Sequence, residues 1–189
     1  MNKKLYVLIA LLSAICFFNS CVGDDDNESG IDEAWKAYNE QIVRNVAANS
    51  EYEPILSFTG DGSIYWKASD VITSTMKSSK ITEDGTPYIT DSVVCRYTGW
   101  YLDYDGKKVE FDSTENNEQA GRGFNLGIGL LSGWNDMLLH MRQGDEVEFC
   151  IPYRLGYGVY GKGSIPAYTT LWFNMKLLKI IPRNPGEFD

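Results

Sequence analysis

Two long runs constrain any fold of this 189-residue chain. Ser92 to Leu102 is aromatic and β-branched, and Thr169 to Ile180 puts Leu171, Phe173, Met175 and Leu177 at every second position. Side chains two residues apart share one face of a strand, so each run asks for a sheet with a buried side. Glu146-Val147-Glu148-Phe149-Cys150-Ile151 repeats the alternation and reads as a half-buried strand, and Ile64-Tyr65-Trp66 reads as a shorter one. Tyr104-Asp105-Gly106-Lys107 is hairpin punctuation, with Lys108 to Phe111 as the returning strand. Against these strands stands one helical stripe: Trp134, Met137, Leu138 and Met141 at i, i+3, i+4 and i+7. Ser132 is positioned to cap that helix and Gln143-Gly144 to close it. Several antiparallel strands and one central helix predict an α+β domain over residues 55–182. A Ser/Thr/Lys-rich excursion from Asp70 to Asp91 and a Gly-rich loop from Pro152 to Ala167 interrupt it.

Ahead of the domain, Ile31, Trp35, Tyr38, Ile42 and Val46 recur at helical spacing between charged residues. Ser29 and Asp32 have capping-box spacing, and Asn49, Ser50 and Pro54 mark a stop. The pattern predicts an amphipathic segment over 31–50, helical over 31–48, that packs on the domain behind it.

The first residues carry an address. Lys3 and Lys4 precede an apolar run from Leu5 to Phe18, too short to span a bilayer comfortably, which reads as a secretory signal over residues 1–20. Phe18-Asn19-Ser20-Cys21 resembles the bacterial lipoprotein signal, in which the cysteine becomes the acylated first residue, so Cys21 is the expected lipidation site. Val22 to Gly30 is polar and acidic, a solvated tether over residues 21–30 that looks like the export signal of Bacteroides-like surface lipoproteins. The expected location is therefore the cell envelope, lipid-anchored at the outer membrane, facing the periplasm or the surface. A calcium-loop reading of the tether fails because its twelfth position is Lys36 rather than Glu.

Composition narrows the function. The chain has 17 Lys and Arg against 26 Asp and Glu, a formal charge of −9. Without residues 1–20 the basic count falls to 15 and the charge to −11. An acidic chain is a poor partner for a phosphate backbone, so nucleic acid is not expected. One His and four Cys argue against a multi-ligand zinc site. Strand parity puts Cys95 on the core face with Val93 and Tyr97, and Cys150 on the solvent face with Glu146 and Glu148. Thiols on opposite faces of one sheet cannot converge, so two free cysteines are expected in the domain. Gly127-x-Gly129 lacks the context of a phosphate loop, and His140 has no nucleophile at a recognisable spacing and is expected to be exposed.

Seven short segments then occur in a telling order. They are Val94-Cys95-Arg96-Tyr97-Thr98-Gly99, Phe111-Asp112-Ser113, Leu126-Gly127-Ile128-Gly129, Gly133-Trp134, Ile151-Pro152 through Gly156-Tyr157-Gly158, Ile165-Pro166, and Leu171-Trp172-Phe173. This resembles the FK506-binding-protein (FKBP) type of peptidyl-prolyl cis-trans isomerase, over about residues 62–181. The resemblance implies a twisted antiparallel sheet wrapped around one central helix. It implies an enzyme that turns X-Pro bonds of exported proteins, or, alternatively, a non-catalytic binding or chaperone module for proline-containing segments. It implies proline-containing polypeptides and FK506-like macrolides as ligands, and no cofactor or metal.

Carried over by position, the expected catalytic set is Tyr97, Phe111, Asp112, Trp134, Tyr157 and Phe173, with Leu130, Leu131 and Ile165 binding substrate. Trp134 would form the floor, the Tyr157 hydroxyl and the Ile165 N–H would bond substrate carbonyls, and Asp112 would face the twisting amide. Two departures stand out. Arg122 occupies a position that is usually aromatic, and the loop from Tyr157 to Ile165 is about one residue short.

Overall fold

The computed structural model describes residues 32–69, 85–115 and 120–183. Helix α1 spans Glu33–Ala47, and strands β1 (Glu53–Leu56), β2 (Ser63–Ala68), β3 (Ser92–Leu102), β4 (Lys108–Ser113) and β5 (Arg122–Asn125) follow. Helix α2 (Ser132–Leu138), β6 (Glu146–Ile151), a 3-10 turn at Tyr153–Leu155 and β7 (Leu171–Ile181) complete the chain order. Every strand pairing is antiparallel, in the order β1-β2-β6-β7-β3-β4, with β5 alongside the first half of β3. The expected sheet with one helix against it is the observed architecture, and the N-terminal helix is present.

Period-two alternation makes this sheet two-faced. Ile64, Val93, Cys95, Tyr97, Val147, Phe149, Ile151, Leu171, Phe173, Met175 and Leu177 all point inward, where they meet Trp134, Met137 and Leu138 of α2 and Met141 just beyond it. Burial of this set removes enough apolar surface from water to dominate the stability of the domain. The helix that fills the sheet's concavity is only seven residues long, starts at Ser132 and has Leu131 as its N-cap. Ser132 is thus helical rather than the cap, and among the described residues no side chain caps that end. Stability here comes from the buried stripe, not from helix propensity, since so short a helix is marginal in isolation.

The outer face carries a second, smaller core. Ile42 and Val46 of α1 pack on Trp100, Cys150 and Trp172, with Tyr38, Tyr52, Tyr65 and Leu102 around them. This corrects the expectation for Cys150. Parity placed it correctly opposite Cys95, but α1 and Tyr52 cover that part of the outer face, so Cys150 is fully buried. Both thiols are free. Burial pushes the Cys95 thiol up to about 12 and Cys150 higher still, which leaves neither reactive.

The helix also docks through polar groups. Asp32 caps it by accepting from the Trp35 N–H at 2.9 Å, so Asp32 is the cap itself and not the distal half of a capping box. Asn39 is buried; its side-chain oxygen accepts from Thr170 N–H at 2.7 Å, and its amide nitrogen donates to Trp35 O at 3.0 Å. Trp35 Nε1 donates to Thr169 Oγ1 at 3.1 Å, and Thr169 Oγ1 donates to Pro166 O at 2.7 Å. Helix α1 is therefore tied to the segment that follows the Gly-rich loop. The expected signal, tether and Cys21 lie outside the described residues.

Candidate active site

A cavity of about 150 Å³ opens at one end of the inner core. Its lining comes from five places: Tyr97 on β3, Phe111 and Asp112 on β4, Arg122 and Phe124 on β5, Gly129, Leu130, Leu131 and Trp134 at the start of α2, and Phe173 on β7. Tyr157 and Lys162 close it from the Gly-rich loop. Residues 76 positions apart in sequence meet here because β3 lies between β4 and β7, which brings Gly99 opposite both Asp112 and Phe173.

Aromatic edges build the walls. The Trp134 ring stands edge-on to Tyr97 at 4.8 Å, to Phe124 at 5.1 Å and to Phe173 at 5.2 Å. Phe111 meets Phe173 edge-on at 5.7 Å, and Phe149 stacks behind Phe173 at 5.4 Å. These T-shaped contacts lock the rings against one another, so the cavity is a preformed hollow. Gly99 makes the arrangement possible. A Cβ at that position would sit 2.6 Å from Phe173 and 2.9 Å from Phe111, well inside contact distance. The Trp134 indole N–H is buried without a partner among the described residues.

One polar cluster interrupts the apolar wall. Tyr97 Oη donates to Asp112 Oδ2 at 2.6 Å, Arg122 Nη1 reaches the same oxygen at 3.2 Å, and Arg122 also donates to Tyr97 Oη. The guanidinium lies over the Tyr97 ring, 5.5 Å from its centroid. Asp112 and Arg122 are both partly exposed, at 43% and 36%, so their ion pair is open to water and of modest strength. Tyr157 stands apart, and its hydroxyl has no hydrogen-bond partner among the described residues. Burial first, then the Asp112 carboxylate, raises its phenol above the usual 10, which keeps it a neutral O–H donor.

Eight of the nine expected pocket residues line this cavity: Tyr97, Phe111, Asp112, Leu130, Leu131, Trp134, Tyr157 and Phe173. Ile165 does not. It is buried beside the site, and its N–H donates to Lys162 O at 3.0 Å while Lys162 N–H returns a bond to Ile165 O. Gly161, at φ +68, permits this tight loop, since a Cβ there would come within 2.3 Å of Ile165 O. The expected free Ile165 donor is thus engaged within its own loop. Arg122, Phe124, Gly129 and Lys162 line the cavity and were not among the expected site residues.

The comparisons with known proteins bear on this geometry. Residues 83–178 match the family described as FKBP-type peptidyl-prolyl cis-trans isomerase. The FK506-binding protein 1 of Aspergillus oryzae is 35% identical over 103 residues, covering 50% of this chain and 87% of that protein. The chain belongs to the FKBP-type peptidyl-prolyl cis-trans isomerase family. Mouse peptidyl-prolyl cis-trans isomerase FKBP14 is 41% identical over 102 residues, but the match spans 47% of that relative's length. An FK506-binding protein of Neisseria meningitidis is 37% identical over 90 residues, covering 47% of this chain and 78% of that one.

Among solved structures, FkpA from Escherichia coli superposes with a TM-score of 0.62 at 21% identity, covering 96% of this chain and 74% of FkpA. A Pseudomonas syringae peptidyl-prolyl cis-trans isomerase gives 0.58 at 24%, covering 79% and 95%. These two likenesses speak for the fold. The FKBP family comprises isomerases that bind proline-containing substrates and FK506-type ligands. This chain's cavity is lined by Trp134 and by the Arg122 guanidinium.

Proposed function

We propose that this protein catalyses cis/trans exchange at X-Pro bonds of exported polypeptides and assists their folding at the cell envelope. The observation that carries this reading is the cavity itself, sized for one small ring and walled by Tyr97, Phe111, Trp134 and Phe173. Rotating a peptide bond breaks amide resonance against a barrier of about 18–20 kcal/mol. A planar amide is more charge-separated than a twisted one, so a water-poor aromatic hollow disfavours the ground state relative to the transition state. Uncatalysed exchange takes tens to hundreds of seconds, slow enough to limit folding. Tyr157 Oη supplies a neutral donor to a substrate carbonyl. Leu131 supplies a second: it borders the cavity as the N-cap of α2, and its N–H has no partner among the described residues. It takes the part that Ile165 cannot. Asp112 faces the twisting amide.

The apolar segment before Cys21 and the acidic run after it support attachment to the outer membrane by acylation of Cys21, because acyl chains hold an acidic protein where its charge cannot. FK506-like macrolides would compete for the same cleft. Isomerisation of a prolyl peptide by residues 22–189 tests the activity, and no acceleration by folded protein rules it out. Cell fractionation tests the anchor: Cys21→Ala is expected in the soluble fraction, and unchanged membrane association removes that part of the account.

A second reading, a binding module without catalysis, draws on Arg122. By holding Asp112 and the Tyr97 hydroxyl together it engages two polar groups of the cleft. Peptide binding without rate enhancement would favour that reading.

A further inference from the structure

We infer that the cleft selects prolyl bonds preceded by an acidic residue, with Lys162 as the specificity-determining side chain; this rests on the proposed prolyl substrate. The argument begins with room. A cavity of about 150 Å³ has space for the proline ring but not for a second side chain, so the residue before proline must stay at the rim. Two cations line the cavity and also reach solvent, Arg122 and Lys162. Their situations differ. The Arg122 charge is opposed by Asp112 at 3.2 Å. Lys162 Nζ lies 5.1 Å from the Tyr157 ring centroid, exposed, and forms no ion pair among the described residues. The lining thus carries two positive charges and one negative, on a chain whose overall charge is −9.

Local and global charge oppose each other, and range decides between them. At physiological salt the screening length is about 8 Å, so scattered surface carboxylates act weakly on a bound peptide while Lys162 acts at contact distance. The loop gives Lys162 a defined place. Its N–H and C=O are both bonded to Ile165, and Gly158 O accepts from Tyr168 N–H at 2.9 Å, so the hairpin is closed at both ends. An exposed ammonium meeting a carboxylate on a fixed loop is an ion pair of ordinary surface strength. The expected preference is about two- to fivefold in kcat/KM for Glu over Gln before proline.

The test compares the peptides Ala-Glu-Pro-Phe and Ala-Gln-Pro-Phe, which differ by charge and not by shape, with the full-length protein at about 0.15 M and about 1 M salt. Turnover and peptide binding are both measured. A Glu-over-Gln ratio of about two to five at the lower salt, reduced toward one at the higher, supports the assignment. Lys162→Met should bring the ratio to one and Lys162→Glu should invert it. Equal kcat/KM and equal binding for the two peptides in the wild-type protein would overturn it. A Glu preference in binding without turnover would remove the isomerase reading and leave the selectivity standing.

Discussion

Replacing Gly99 by alanine adds one methyl group to the wall of the cleft, and its consequences follow from three distances. The new carbon would lie 2.6 Å from one Phe173 ring atom and 2.9 Å from two Phe111 atoms. Ordinary carbon contact is about 3.5–4.0 Å, so roughly 1 Å must be recovered by ring movement. Phe173 cannot retreat, because Phe149 is stacked behind it at 5.4 Å. The open direction is the cavity. Overpacking of this kind costs about 1–3 kcal/mol. For a domain of this size that lowers the melting temperature by roughly 2–12 °C. The displaced rings occupy part of the space meant for proline, so transition-state binding suffers as well, and we expect kcat/KM to fall about tenfold, equivalent to ~1.4 kcal/mol. Thermal unfolding read alongside a prolyl-peptide assay separates the two effects. Lowered stability with unchanged kcat/KM would refute the claim that these rings define the substrate space.

Other substitutions probe the rest of the framework. Asn39→Leu leaves the buried Thr170 N–H without its acceptor and should cost about 1–3 kcal/mol in urea unfolding, with no loss if the helix contributes nothing. Asp136 is buried, with one carboxylate oxygen unpartnered among the described residues, and desolvation raises its pKa above 3.8. The folded state therefore holds that proton more tightly than the unfolded chain, so this group's contribution is most favourable below the unfolded value and is lost as pH rises through the folded one. Asp136→Asn, which can still accept from Phe58 N–H, should be neutral or stabilising at pH 7 and flatten the stability profile at acid pH; marked destabilisation at pH 7 would contradict this. In residues 22–189 both thiols should resist labelling until denaturant is added, and rapid reaction of Cys150 in the folded protein would show that α1 does not cover it.

Much of the fold was legible because burial on one face writes itself at period two. The parities of Val93, Cys95 and Tyr97, and of Leu171 to Leu177, were readable directly, and the ordered motifs carried the family and most of the pocket. Short elements were not legible: β1 and β5 have four residues each, too few to show a period, so Phe124 escaped notice as a wall. The burial of Cys150 is not legible for a different reason. Alternation reports which face a residue is on, but not what packs over that face, and here a helix more than 100 residues earlier in sequence covers it. Ile165 illustrates a third limit, since whether a backbone N–H is free depends on loop closure that spacing does not encode. Arg122 was visible as a departure, while its pairing with Asp112 needed coordinates.

Trp134 stands edge-on to three of the other walls, at 4.8, 5.1 and 5.2 Å, so its removal tests the central claim most directly. Exchange of a prolyl peptide should be accelerated by residues 22–189, and Trp134→Ala, shown to be folded, should lose at least about tenfold in kcat/KM. Equal rates for the two proteins, or none from the folded wild type, would contradict the account.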